Sequence, residues 1–317
     1  MSTLNLVELC ITVLIESIDE KRESEFNLPD SLLQKLISRA VFCSKVNEKT
    51  LPLFLHSNLR TLKLSKASSF INDTCLKQIS NVCTNLQSLS LYNCCNITEE
   101  ALCELVSSSP QLKLLNLSKC PAAGPKVLMK VSEHCTQLET LTLNRNYRID
   151  DELMSIILPK LPLKEFSVLG CWRLTENFLK FIPPSVTKLN ISRNNISKED
   201  ALINLFNRCN KIRWIEFFKL KAVTDTVLEK MVENLADVLT HFHCNACEKL
   251  TEEGIVNNLL SKCKHIASLQ LPFATDKIMK AISHFQSSSI TSLSIPKACD
   301  ITDDGFEAFE FPNLTEL

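Results

Sequence analysis

The sequence predicts an α/β solenoid, a stack of units that each carry one short strand and one helix. Three observations in its 317 residues point to that class. A frame Leu-x-x-Leu-x-Leu-x-x-Cys/Asn starts at Leu59. It returns at Leu86, Leu112, Leu138, Leu163, Val186, Ile212, Leu239, Ile266, Ile290 and Leu314, with spacings of 23 to 27 residues. Cysteine recurs at two fixed phases, eight residues into the frame (Cys94, Cys120, Cys171, Cys247) and three before it (Cys83, Cys135, Cys209, Cys263). A threonine followed by an acid recurs twelve residues in, at Thr98-Glu99, Thr175-Glu176, Thr224-Asp225, Thr251-Glu252 and Thr302-Asp303.

Taken in chain order, the first element is a helix over 4–18. Its polar residues Asn5, Glu8, Thr12, Glu16 and Asp19 make one narrow stripe, and a helix apolar over the rest of its surface needs cover on two sides. The second helix starts near Leu28-Pro29-Asp30 and runs to about Cys43, with proline suited to the first turn. Leu32, Leu33, Leu36, Ile37 and Ala40 form its inner stripe. Residues 46–58 read as a partial first repeat. From residue 59 the period is that of leucine-rich repeats. Each Leu-x-Leu alternates with period two, so it is a short strand with its leucines inward. Each Thr-acid pair starts a helix, the hydroxyl capping free N–H groups and the carboxylate facing the positive end of the helix dipole. No unit buries its apolar face alone, but stacked neighbours share one core. The expected architecture is a leucine-rich-repeat horseshoe over 59–317, strands concave and helices convex, behind an N-terminal helical cap over 1–45. The eleventh frame supplies Leu314 and Leu317 and lacks its third position, which predicts a sequence truncated within a repeat.

Composition narrows the function. The chain carries 35 basic against 36 acidic residues, which argues against bulk electrostatic binding to nucleic acid or anionic membrane. Its four glycines, Gly124, Gly170, Gly254 and Gly305, lie too far apart to build a phosphate loop or dinucleotide fingerprint. No apolar run reaches membrane-spanning length. The apolar stretch 4–15 lacks the basic flank and small-residue cleavage site of a signal peptide. Fifteen cysteines in a chain this long read as reduced core thiols in the cytosol or nucleus.

One string, His241-Phe242-His243-Cys244-Asn245-Ala246-Cys247, has the residue types of a zinc site. The frame places Phe242 and Cys244 inward and His241 and His243 on the opposite face, so thiols and imidazoles cannot share one ion. Nine cysteines follow from repeat phase, counting Cys244, and no nucleophile–base–orienter set falls together. The expectation is a chain with no metal, cofactor or catalytic centre.

Concave positions lie two, four and six residues into each frame, and most are small and polar. Two adjacent repeats depart, with Trp214, Glu216 and Phe218 in one and His241, His243 and Asn245 in the next. Exposed aromatics are enriched at binding hot spots, so these residues are a candidate partner site, the alternative being cover by the chain itself. Seven residues in lies a basic row, Lys66, Lys119, Arg145, Arg193, Lys219 and Lys297, with Arg148 and Arg173 nearby. Arg193 and Lys219 flank the aromatic patch. The row suits an acidic peptide or is a solvated rim.

The cysteine phases resemble the cysteine-containing leucine-rich-repeat subfamily, found in the antagonist-of-mitotic-exit-network type and in leucine-rich-repeat substrate receptors of cullin-RING ubiquitin ligases. Asn146 and Asn194 depart by placing Asn at the cysteine phase. In the N-terminal helices, Leu6-x3-Cys10-x3-Leu14 looks like the elongin-binding box of von Hippel-Lindau-type receptors, although Asn5 departs from its usual Ser, Thr or Pro. Leu28-Pro29-x-x-Leu32-x3-Leu36 looks like the cullin box that follows it. Leu28 to Leu33 also resembles the opening of an F-box, which binds a Skp-type adaptor, but the remaining F-box helices are missing. The resemblance implies a non-catalytic substrate-recognition subunit that docks an elongin-type adaptor and cullin through these helices and holds a protein target on the concave face. The other readings are a ligase-independent scaffold or mitotic-exit-type regulator, with the two helices as a simple cap.

Overall fold

The structure is a computed structural model that describes residues 6–16, 28–295, 301–307 and 311–316. The expectation at Lys297 lies outside these residues. The chain divides into two compact units, one of Met1–Arg148 with Lys160–Pro162 and one of Ile149–Pro159 with Leu163–Leu317.

In the first unit the cap comes first. Helix α1 (Leu6–Glu16) lies on α2 (Asp30–Phe42), which follows Pro29 in its cap position rather than in its first turn. Ile11 and Ile15 are buried beneath α1, as are Leu33, Leu36, Ile37 and Ala40 of α2. The Gln34 amide donates to the Thr61 carbonyl, so α2 closes the polar edge of the first strand. Strands β1 (Thr61–Lys63), β2 (Ser88–Ser90), β3 (Leu114–Asn116) and β4 (Thr140–Thr142) then pair in parallel, one per repeat. Their central residues Leu62, Leu89, Leu115 and Leu141 stand in register and are wholly buried. Helices α3 (Asp73–Val82), α4 (Glu99–Ser107) and α5 (Pro125–His134) alternate with the strands. In α4 the inward residues are Leu102, Leu105 and Val106, as the helical spacing predicts.

The second unit repeats the plan. Strands β5 (Glu165–Ser167), β6 (Lys188–Asn190), β7 (Trp214–Glu216), β8 (His241–His243), β9 (Ser268–Gln270) and β10 (Ser292–Ser294) are parallel and neighbour one another in chain order. The eleventh frame pairs as well, with Thr315 donating its N–H to the Thr291 carbonyl at 2.8 Å. Between the strands lie α6 (Asp151–Ile157), α7 (Glu199–Arg208), α8 (Asp225–Leu235), α9 (Asp276–Gln286) and α10 (Asp303–Glu307). Two repeats differ. The shortest, with 23 residues between frames, holds only a 3-10 helix over Glu176–Phe181 before Pro183 and Pro184 stop it. The repeat after β8 winds as a π-helix over Gly254–Leu260.

Two devices fix the register, and the sequence reading identified only part of each. The seventh position of the frame adopts positive φ at Asn93, Lys119, Arg145, Gly170, Arg193, Lys219 and Ala246. The chain turns there, and its N–H reaches the next repeat: Lys119 donates to Asn144 O at 2.8 Å and Arg193 to Phe218 O at 2.9 Å. The acid at the head of a helix also does more than face its own helix dipole, whether or not a threonine precedes it. Asp225 accepts the Thr251 N–H at 3.0 Å and its hydroxyl at 2.6 Å. Asp73 binds Thr98, Asp151 binds Thr175 and Asp276 binds Thr302 in the same manner, while Glu199 accepts the Thr224 hydroxyl alone. Gly254 makes room for this tie, since a Cβ there would collide with the Asp225 carboxylate.

Cutting one tie tests its weight. Asp225→Ala is expected to cost about 1–2 kcal/mol, the range for a lost capping interaction, and Thr251→Val in the Asp225→Ala background less than alone, the remainder being its cap on the Gly254 N–H. Urea unfolding of the single and double variants measures both. Hydrogen bonds from Thr275 and Lys277 hold the Glu252 carboxyl below its ordinary range, and Thr302 does the same for Asp276. Carboxyls lowered in the folded state stabilise it above their ordinary pKa, and that contribution disappears as pH falls through the lowered values. Thermal unfolding is therefore expected to shift to lower temperature on acidification from neutral pH to below pH 4.

Candidate functional site

The aromatic patch stands on β6, β7 and β8 of the second unit. Register pairs Lys188 with Trp214 and Trp214 with His241, while Leu189, Ile215 and Phe242 between the patch residues are buried. The alternation thus sends Trp214, Glu216, His241 and His243 to one face and their apolar neighbours to the other. All four are half-buried rather than freely exposed. The Lys188 ammonium lies 3.8 Å from the centre of the Trp214 ring, and the His241 ring stacks on the indole at 4.0 Å and 6°. His243 meets it edge-on at 5.7 Å. The Trp214 Nε1–H donates to Glu216 Oε1 at 2.8 Å, and the Asn190 amide donates to the other Glu216 oxygen. Neighbouring strands therefore hold the indole by both faces and by its edge. The sequence reading missed Lys188 and Asn190, whose signal was their in-register position one strand before Trp214 and Glu216.

The imidazoles are fixed as well. His243 Nε2 is 2.9 Å from Ser268 Oγ, and His241 Nδ1 is 2.9 Å from Thr240 Oγ1. Burial, then the neighbouring His241 and Lys188, presses the His243 imidazole down to about 4. Burial and Lys188 lower His241 too. Both rings are thus uncharged near neutral pH. Phe218 is half-buried, and Arg193 and Lys219 on the adjoining turns are exposed. The Arg193 guanidinium carbon lies 4.5 Å from the centre of the Phe218 ring.

Cys244 and Cys247 lie in the core, across the strand from the imidazoles. The phase cysteines Cys83, Cys94, Cys120, Cys135, Cys171, Cys209, Cys247 and Cys263 are all buried. Burial pushes the Cys83, Cys94 and Cys263 thiols up to about 12. A thiolate is the reactive form, so these positions disfavour nucleophilic or ligating chemistry. The two asparagines at the cysteine phase act through their amides. Asn194 donates to Val168 O and Ile191 O at 3.0 Å each and accepts the Cys171 N–H at 2.8 Å, and Asn146 donates to Leu117 O at 3.1 Å.

The candidate adaptor residues lie in the cap. Leu6 opens α1. Cys10 is exposed and Val13 is 58% exposed, turned away from the buried Ile11 and Ile15, and Leu14 is half-buried on the flank between. Leu28 and Leu32 are half-buried and Pro29 is exposed. Leu36 departs from a docking role, since it is wholly enclosed with Leu33 and Ile37 where a partner cannot touch it. Ile11, Thr12, Gln34, Lys35, Arg39 and Phe42 line a groove of about 490 Å³ between the helices, with Phe42 62% exposed. Among the described residues, no helix is long and apolar enough to cross a membrane.

No family model matches the sequence. The chain is similar to the DNA repair protein RAD7 of Saccharomyces cerevisiae, 23% identical over 99% of this chain and 61% of that protein. It is similar to the DNA repair protein rhp7 of Schizosaccharomyces pombe, 24% identical over 100% of this chain and 58% of that protein. A shorter match, 31% identical, relates 37% of the chain to 18% of the bovine F-box/LRR-repeat protein 4. The chain thus spans about three fifths of the length of its two Rad7-type relatives. Among solved structures, that of yeast Rad7 in complex with Elc1 superposes with a TM-score of 0.64 at 19% identity, covering 100% of this chain and 87% of that one. This likeness establishes the leucine-rich-repeat fold.

Two outcomes follow from the site geometry. In NMR titration, His243 is expected to stay neutral until about pH 4, so the patch gains no imidazolium charge there between pH 8 and 5. Because its folded pKa is depressed, its contribution to stability falls as pH drops from the unfolded value near 6.5 through about 4. In the native protein, a thiol reagent is expected to label Cys10, Cys43 and Cys95, the exposed thiols among the described residues. Cys244 reacts only after unfolding.

Proposed function

We propose that this chain is the substrate-recognition subunit of a cullin-RING ubiquitin ligase. The N-terminal helices dock an elongin-type adaptor, and the concave strand face holds a protein target. The observation that carries this reading is the two-sided α1. Ile11 and Ile15 anchor the helix to the cap, while Cys10 and Val13 stand outward, with the half-buried Leu14 at their edge, beside the elongin-box resemblance. A helix that served only as a cap would have no use for an apolar outer face. Similarity to Rad7, whose solved structure is a complex with Elc1, supports an adaptor partner, and similarity to an F-box/LRR-repeat protein fits the same class of receptor. In this reading Leu6, Cys10 and Leu14 are the adaptor contacts that the motif assigns, the Leu6 side chain lying outside the described ones, and Leu28, Pro29 and Leu32 at the entry to α2 are the cullin-side contact. A nuclear location fits relatives named for DNA repair.

The chain contributes no covalent step in this reading. It supplies proximity, since a target held on the same assembly as a charged ubiquitin-conjugating enzyme experiences a greatly raised effective concentration of it. The polar strand face and the Trp214 patch provide a surface for that target.

Co-purification from cells is expected to recover elongins B and C. The Leu6→Asp/Cys10→Asp variant is expected to lose them while keeping partners bound through residues 59–317. Recovery of a Skp-type adaptor would replace the elongin reading with the F-box one, and absence of both would favour the ligase-independent scaffold. Trp214→Ala/Phe218→Ala is expected to abolish target binding and leave the adaptor bound, with circular dichroism confirming an intact fold.

A further inference from the structure

The second unit's turns carry more cations than the fold needs. Over 169–175, 192–198, 218–224 and 245–251 they hold Arg173, Arg193, Lys198, Lys219, Lys221 and Lys249 against the single acid Glu248, in a chain whose net charge is -1. Two of these charges are spent within the protein, Arg173 on Asp150 at 2.9 Å and Lys198 on Glu176 at 3.2 Å. Arg193 and Lys219 have no carboxylate partner among the described residues. Both occupy the seventh frame position, at φ 56° and 57°. A side chain in this left-handed region costs roughly 1–2 kcal/mol that glycine avoids, and Gly170 fills the same position in an earlier repeat. The backbone therefore does not ask for a long basic side chain here.

The surroundings show what these side chains are arranged to meet. The Phe218 backbone is held twice by the preceding turn, donating its N–H to Ser192 Oγ at 3.0 Å and accepting the Arg193 N–H at 2.9 Å. The Arg193 guanidinium rests on that ring, which orients its planar fork while leaving its edge N–H groups for an oxyanion. Lys219 follows one repeat later, about one strand spacing away. The neighbouring Glu216 carboxylate is already engaged by Trp214 and Asn190.

We infer that Arg193, Phe218 and Lys219 form an oxyanion anchor for a peptide segment, binding a carboxylate or phosphorylated side chain while the outer rim of the half-buried Trp214–His241 stack receives its apolar neighbour. The inference rests on the reading of this surface as the partner site and adds the chemistry of what it takes. A peptide fits better than a nucleic-acid strand. A strand needs cations and stacking faces repeated along a track, whereas the exposed aromatic in these turns, Trp172, adjoins Arg173, whose charge Asp150 takes up.

A random short-peptide library selected on the purified chain at about 0.15 M salt tests this. The expected result is enrichment of Asp or Glu next to a large apolar residue. A synthetic consensus peptide is then expected to lose at least about tenfold in affinity, the scale of one charge-assisted pair, on Arg193→Gly or on replacing its acid by the amide. Arg193→Gly relieves the backbone, so it folds at least as well as the parent. A phosphoserine version that binds more tightly than the acidic peptide assigns the natural anion as phosphate, and a weaker one assigns it as carboxylate. No enrichment, enrichment without acids, unchanged binding to Arg193→Gly, or tighter binding of oligothymidylate than of the peptide each overturns the anchor. Trp214→Ala separates the two readings: if it abolishes binding while Arg193→Gly does not, the patch remains a partner site and only the anchor falls. If neither variant weakens binding, the assignment of the patch falls as well.

Discussion

The stacking register of this protein depends on one recurring tie, the carboxylate at the head of a helix bound to the threonine at the head of the next, which is present at most of the junctions. Asp225 illustrates it, holding both the N–H and the hydroxyl of Thr251. The same threonine hydroxyl accepts the Gly254 N–H and so caps its own helix. One hydroxyl thus joins two repeats and starts the second. With the helix heads held at a fixed offset, the strands cannot slip, and a slip of one residue would turn Trp214 inward and Ile215 out. Where the pattern is broken, a substitute appears. Glu99 takes Arg148 at 2.9 Å in place of a threonine.

Much of this was legible in the sequence because the repeat supplies its own internal comparison. Leu62, Leu89, Leu115 and Leu141 are buried where the frame put them, and the cysteine phases are core. The face of Trp214, His241 and His243 followed from alternation alone. What could not be read were relations between repeats. That Glu252 reaches Thr275, or that Lys188 settles on Trp214, depends on the stacking of segments some 25 residues apart, and a one-dimensional pattern gives the phase of each residue but not its partner. The positive φ at the seventh position was hidden for a different reason. Its usual sign is glycine or asparagine, and Lys119, Arg145, Arg193 and Lys219 stand there instead.

The cap shows the same division. Helical spacing located α1 and α2 and the inner stripe of α2, but it could not separate the inner stripe from the docking motif, because Leu36 belongs to both patterns. Burial resolves the overlap in favour of the core. On α1 the two patterns fall on different sides, Ile11 and Ile15 against Cys10 and Val13, so structural and binding roles can coexist on one short helix.

The interchangeable ties have a consequence for how such a chain changes length. Asp225 meets Thr251, and Glu252 in turn meets Thr275, through the same groups. Excising one whole unit at the level of these residues would bring Asp225 against Thr275, donor to acceptor, but with Ile278 where Gly254 stands, so the heads would pair while a side chain crowds the Asp225 carboxylate. Gene deletions or duplications in steps of a complete unit therefore keep acid facing threonine at the junction and disturb only the space beside it, whereas a loss of a few residues within a unit leaves mismatched heads on both sides.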